Sequence, residues 1–230
     1  MISQEEYEIQ RRNMVNNQLI ARGVKDQDVL RVMNLLPRHI FVPDKFKAAA
    51  YEDGALGIGK GQTISQPYIV AHMTELLSLT GVETILEIGT GSGYQAAVLS
   101  HLAKKVYTIE RHKSLSQQAE NKLADLGIEN VACIQGDGSG GWPSAAPYDG
   151  ILVAAAAPKI TQKLLTQLKE GGRLILPVGG PKGQHLVKII RRGDDFETKD
   201  IFPVSFVPLR GEFGWGNIRW LERNNNNNEK

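Results

Sequence analysis

The most constraining feature of this chain lies near its middle. Leu86-Glu87-Ile88 runs into three alternate glycines, Gly89, Gly91 and Gly93, and a helix-forming stretch begins at Tyr94. Glycine reaches backbone angles that other residues avoid, so the spacing reads as a strand, a tight turn and a helix. Such a turn leaves the carboxyl end of the strand bare of side chains, which is where an open α/β sheet takes its ligand. Apolar runs recur at Thr84–Ile88, Val106–Ile109, Val131–Ile134, Gly150–Val153 and Arg173–Val178. Helical patterns at Tyr94–Ala103, His112–Leu126 and Ile160–Leu168 separate most of them. Strands apolar on both faces and alternating with helices predict a doubly wound, mostly parallel sheet covered on both sides. Leu186–Ile190 and Ile201–Phe206 flank the turn signal Gly193-Asp194-Asp195 and predict antiparallel C-terminal strands.

The N-terminal part reads as a helical extension. Ser3–Arg22 ends at Gly23, Asp26–Leu36 stops before Pro37, and a third helix is expected from Pro67 to Leu79. The Gly-rich segment from Gly54 to Pro67 reads as a long functional loop. One domain over 1–211 is expected, with residues 1–80 as extension and substrate loop and 81–211 as the cofactor-binding core. Residues 212–230 form a C-terminal extension whose Asn224–Asn228 run is low-complexity.

Composition excludes several classes of function. The 27 basic and 25 acidic side chains nearly balance, which gives no general attraction for nucleic acid or an anionic membrane. A single cysteine, Cys133, rules out an internal disulfide, and the histidines lack metal-pair spacing, so no metal site is expected. The longest apolar run, Ile151–Ala157, is far too short to span a bilayer, and the polar start does not read as a signal peptide. A cytosolic protein, acting as a monomer, is expected.

The ligand follows from the glycine turn and two acidic residues. A dinucleotide fingerprint needs a glycine where Tyr94 stands, which argues against a pyrophosphate on the helix end. Glu110 closes the next strand, where a carboxylate can accept from both hydroxyls of a ribose. Glu87 adds negative charge, although it could equally cap nearby amides. A cofactor with a ribose, a cationic centre and no phosphate suits this set, and S-adenosylmethionine has all three features. Asp137, between Gly136 and Gly138, reads as an acceptor for an adenine amine or as an ordinary Asp-Gly turn.

Several stretches then carry a resemblance. They are Gly61-Gln62-Thr63-Ile64-Ser65-Gln66-Pro67, Leu86 to Tyr94, Gly136-Asp137-Gly138 with Gly141-Trp142-Pro143, Ala146-Pro147-Tyr148-Asp149, Ala155-Ala156-Ala157-Pro158, Leu168 to Leu174 and Phe206-Val207-Pro208-Leu209. Across roughly residues 5–211 the chain resembles the protein-L-isoaspartate O-methyltransferases of the class I methyltransferase fold. The resemblance implies methyl transfer from S-adenosylmethionine to the α-carboxylate of L-isoaspartyl residues in damaged proteins and peptides. It makes Ser65 the active-site serine, with Thr63, Ser65 and Gln66 as substrate contacts. It makes Ile64, Glu87, Gly89, Thr90, Gly91, Ser92, Gly93, Glu110, Asp137 and Gly138 the cofactor contacts. In this family a threonine commonly stands where Ala154 does, a departure that argues against a side-chain role at that position. After Leu209 the chain follows no family pattern.

A carboxylate nucleophile titrates near about pH 4, so no general base is required. Ser65 would orient it by a hydrogen bond, yet from local pattern alone Ser65 also reads as a cap for the helix after Pro67. The alternative activity is a class I methyltransferase acting on another carboxylate or a small molecule. A nicotinamide dehydrogenase is disfavoured by Tyr94. A catalytically silent peptide-binding module is disfavoured by Glu110 and Asp137 beside an intact glycine turn.

Overall fold

The computed structural model describes residues 2–216. Trp220 and the asparagine run lie outside these residues. Helix α1 (Gln4–Met14) starts at Ser3, whose hydroxyl accepts from Glu6 N while the Glu6 carboxylate accepts from Ser3 N, a reciprocal cap. The single helix expected to Arg22 is broken: a π turn (Val15–Leu19) and a 3-10 turn (Ile20–Arg22) follow α1. Gly23 then stops the segment in the left-handed region, as its position predicts. Helix α2 (Gln27–Leu35) is capped by Asp26.

The Gly-rich segment is not a plain loop. It holds an antiparallel pair, β1 (Leu56–Gly59) and β2 (Gln62–Ile64), joined through Lys60 and Gly61. Both connecting residues have positive φ, 54° and 69°, the geometry of the commonest two-residue hairpin turn. The glycines hid this pairing by diluting the alternation of Leu56, Ile58 and Ile64. Helix α3 (Pro67–Leu77) follows.

The main sheet contains β3 (Thr84–Ile88), β4 (Lys105–Glu110), β5 (Val131–Gln135), β6 (Tyr148–Val153), β7 (Leu168–Gly180), β8 (Gly183–Arg192) and β9 (Asp195–Val204). Helices α4 (Tyr94–Ser100), α5 (Lys113–Asp125) and the short α6 (Gln162–Leu165) connect the parallel part. The strand order is β5-β4-β3-β6-β7-β8-β9, parallel through β7 and antiparallel for the last two. The chain therefore builds outward from β3 to one side, then returns to add β6 on the other, which makes β3 and β6 the topological switch point. The helix expected over Ile160–Leu168 is shorter because Leu168 already pairs with Tyr148 as the first residue of β7.

Ile85, Leu86, Ile151, Leu152, Leu174 and Ile175 are fully buried, each contributing about 1.5–3 kcal/mol by removal from water. The N-terminal helices complete this core. Met14, Leu19, Val32 and Met33 join Tyr94, Ala96 and Ala97 in one buried cluster, and Phe41 meets the Tyr94 ring edge-on at 5.3 Å. Among the described residues no helix is long and apolar enough to cross a membrane.

Candidate functional site

The switch point opens a crevice at the carboxyl ends of β3 and β6. Gly89, Gly91 and Gly93 all have positive φ (99°, 52° and 88°), so the turn depends on glycine at each. Gly89 and Gly91 line the crevice with Thr90 and Ser92. Gly93 does not line it. It is the N-cap of α4 and packs on α5, where an added Cβ would lie 3.1 Å from the Cβ of Ala119.

Two carboxylates line the crevice from different strands. Glu110, at the end of β4, is buried; its Oε2 accepts from Gly91 N at 3.0 Å and its Oε1 from His112 N at 2.8 Å. The two bonds orient the carboxylate and hold the glycine turn, leaving further lone pairs for hydroxyl donors. Glu87, fully buried on β3, accepts from Thr108 Oγ1 at 2.5 Å, and Thr108 Oγ1 lies 2.6 Å from Thr90 Oγ1. Glu87 Oε1 is buried without a partner. Burial pushes this carboxyl up to about 8; the Thr108 bond opposes the shift and nearby Glu110 adds to it. Glu87 is thus neutral at pH 7 until a positive group arrives. No capping role is seen for it.

The crevice has two narrow compartments of about 50 Å³ each, which share Gln62, Gly89, Glu110 and Ala155. The outer one is bounded by Ile109, Gly138 and Leu209. A Cβ on Gly138 would sit 2.5 Å from Ile109 Cγ2, so only glycine fits. Asp137 lines neither compartment. Its Oδ1 accepts from Ser139 N and its Oδ2 from Glu212 N, both at 2.8 Å, while the Ser139 hydroxyl accepts from Phe213 N at 3.0 Å. Burial acts to raise the Asp137 carboxyl, but the bonds from Glu212 and Ser139 outweigh it and hold it below the usual carboxylate range. The first described part of the C-terminal extension is therefore fastened beside the outer compartment. Trp215 is buried there, with its amide donating to Leu209 O at 2.7 Å.

The donor set suits S-adenosylmethionine. Glu110 can take ribose hydroxyls, the unpartnered Glu87 oxygen faces no competing donor, and the Glu110 carboxylate disfavours a phosphate. Ile64, Thr63 and Ser65, all on or after β2, line the inner compartment from the other side.

Next to the crevice lies a wider groove of about 690 Å³. Asp53, Gln66 and Tyr68 border it on one side and Phe202 to Val207 on the other. Thr63, Ser65, Ala154 and Val207 line both spaces, so Ser65 stands at their junction. The N-cap of α3 is Gln66, no side chain caps this end, and Pro67 fills the first turn. Ser65 is free of the capping role that its local pattern allows. The Gln66 amide donates to Asp53 Oδ1 at 2.7 Å, and Arg22 Nη1 meets both Asp53 oxygens at 2.9 and 3.0 Å.

Sequence reasoning missed Gln62, Ala155, Leu209 and Arg210 along the crevice and the Phe202–Val207 wall of the groove. Gln62, Ala155, Phe206, Val207 and Leu209 stand in the stretches that carry the resemblance, but these residues come from distant segments and nothing local shows that they meet. Cys133, the single cysteine, is half-buried and pushed up to about 11 by burial, which keeps it protonated.

The chain matches the family described as protein-L-isoaspartate(D-aspartate) O-methyltransferase over residues 10–213. It is 50% identical over 210 residues to the protein-L-isoaspartate O-methyltransferase of Dictyoglomus thermophilum, covering 91% of this chain and 95% of that one. It is 53% identical over 208 residues to protein-L-isoaspartate O-methyltransferase 2 of Shewanella sediminis, covering 90% and 85%. A solved protein-L-isoaspartate O-methyltransferase structure superposes with a TM-score of 0.81 at 31% identity, over 93% of this chain and 69% of that one.

Proposed function

The chain belongs to the protein-L-isoaspartate(D-aspartate) O-methyltransferase family, and from that membership and the site geometry we infer that it methylates the α-carboxylate of L-isoaspartyl residues. S-adenosylmethionine is the methyl donor. The neighbouring backbone amide nitrogen of the substrate attacks the methyl ester and expels methanol to close a succinimide, which water reopens in part to normal aspartate and so begins repair of the damaged chain. The observation that carries the reading is the position of Ser65, at the junction between a crevice suited to the cofactor and a groove wide enough for an extended peptide.

When bound, the cofactor supplies a methyl group on a cationic sulfur. The protein aligns the acceptor and removes its water. Ser65 donates to the substrate carboxylate, which is ionised at neutral pH and needs no base. Thr63 and Gln66 border the carboxylate, Gln66 being braced by Asp53. Glu110 and the turn from Gly89 to Ser92, with Ile64 and Gly138, hold the cofactor, and Glu87 faces its positive end. Asp137 acts at one remove, by tying residues 212 and 213 beside the outer compartment. Residues 1–211 work as one catalytic domain, in which the N-terminal helices support the Ser65 loop. We place the enzyme in the cytosol as a monomer, and without a nucleic-acid partner, the last supported by its near-balanced charge.

The test is transfer of labelled methyl to two peptides that differ only in one Asp or isoAsp linkage. Base-labile label on the isoAsp peptide alone is the expected outcome. Label on neither peptide, with cofactor binding intact, would move the reading to another carboxylate or a small molecule.

A further inference from the structure

The N-terminal third carries one charge that is buried without a counter-ion. Arg38 opens the 3-10 turn Arg38–Phe41 and is wholly inaccessible to solvent. Its Nε donates to Ala50 O at 2.7 Å and its Nη2 to Ser65 O at 2.8 Å. Its Cζ lies 5.0 Å from the centroid of the Tyr94 ring. The remaining nitrogen, Nη1, is buried with no hydrogen-bond partner. Among the described residues no carboxylate forms an ion pair with it. Burial pushes the guanidinium down to about 10, so it remains a cation at neutral pH.

Leaving a charge buried and unpaired is costly, and a structural tie alone would not require one. Two facts give the charge a use. Ala50 and Ser65 are the two ends of the excursion that carries β1 and β2, so one planar fork closes the base of the hairpin. Ser65 also lines both cavities, so the cation lies one hydrogen bond behind the point where an anionic substrate meets the cofactor crevice.

We propose that Arg38 is a positioning residue for methyl transfer, which staples the Ser65 loop and supplies a buried positive charge behind Ser65 whose field favours the substrate carboxylate. The inference rests on the isoaspartyl reading of the groove. Arginine suits both parts, because its fork reaches two carbonyls at once while its charge is permanent. Lysine can keep the charge but cannot hold both carbonyls in one plane.

The experiment compares the wild type, Arg38→Lys and Arg38→Met in the presence of S-adenosylhomocysteine. Binding is measured for an isoaspartyl peptide and for the same peptide with an α-carboxamide in place of the α-carboxylate. The wild type is expected to prefer the carboxylate by at least about tenfold, the range of one charge-assisted contact. Arg38→Met is expected to lose at least about threefold of that preference, the remainder being carried by the Ser65 hydroxyl, while keeping its affinity for S-adenosylhomocysteine. Arg38→Lys is expected to keep the carboxylate preference and to lose about tenfold or more in kcat.

A full carboxylate preference in Arg38→Met overturns the electrostatic role. An unchanged kcat in Arg38→Lys overturns the staple. If Arg38→Met shows no thermal transition, Arg38→Lys decides alone, and loss of the preference there overturns the proposal. A wild type that binds both peptides equally overturns the isoaspartyl reading instead.

Discussion

Gly89 and Ala154 face each other across the switch point: a Cβ built on Gly89 would lie 3.5 Å from the Cβ of Ala154. The first residue beyond β3 and the first beyond β6 thus set the width of the crevice between them. Ala154 also lines the groove, so its size bears on both ligands. Ala154→Leu is expected to weaken cofactor binding and turnover together by about 1–3 kcal/mol, the usual cost of overpacking. Ala154→Thr, far smaller, is expected to stay within about threefold of wild type. Calorimetric titration with S-adenosylhomocysteine and initial rates check both.

Ser65 and Glu110 are expected to separate chemistry from cofactor binding. Ser65→Ala removes a donor to a charged group, worth about 1.5–3 kcal/mol, so kcat/KM falls by about 10- to 150-fold. Its cofactor affinity should change little. Glu110→Ala should weaken cofactor binding first, by a similar amount, because it removes the ribose acceptor and also frees Gly91 N and His112 N. Equal losses of turnover and cofactor affinity in Ser65→Ala would mean that Ser65 merely supports its loop.

Glu87 predicts a pH signature in the cofactor-free protein. Its carboxyl lies at about 8 when folded against an ordinary value of 4.5. Between those two pH values the folded state holds one proton more than the unfolded state. Stability from this group is therefore full below about pH 4.5 and is lost as pH rises through about 8. Glu87→Gln lacks this titration, so its melting temperature should gain on wild type from pH 5 to pH 9. A constant difference across that range would contradict the raised value.

Asp137 predicts an effect at a distance from the reacting atoms. Asp137→Ala removes the acceptor for Glu212 N and Ser139 N. Residues 211–213 should loosen, and S-adenosylhomocysteine should dissociate faster while its bound-state contacts with Glu110 persist. Stopped-flow release rates in Asp137→Ala and Asp137→Asn test this, Asn keeping one acceptor oxygen. Unchanged release in both would leave Asp137 without a role in retaining the cofactor.

The sheet was legible because its signals are local. Apolar runs between helical patterns marked the strands from β3 to β9, and the alternate glycines marked the turn at Gly89. The place of Glu110 beside that turn was legible for the same reason, since it ends the strand that pairs with β3. The β1–β2 pairing escaped because Gly57, Gly59 and Gly61 mask the alternation on which strand reading depends. The break after Met14 escaped because π and 3-10 turns use the same helix-forming residues as the helix they interrupt.

What the sequence determined by itself was therefore the fold class, the cofactor turn and, through the Thr63–Pro67 motif, the family. The tertiary structure alone decided how those parts meet. It set Ser65 between two cavities, Arg38 behind Ser65, and Asp137 against Glu212. Each long-range relation joins segments far apart in the chain through burial and a few hydrogen bonds. Local periodicity reports which face of an element is apolar, and it carries no information on which distant backbone carbonyl or amide a buried polar group will find.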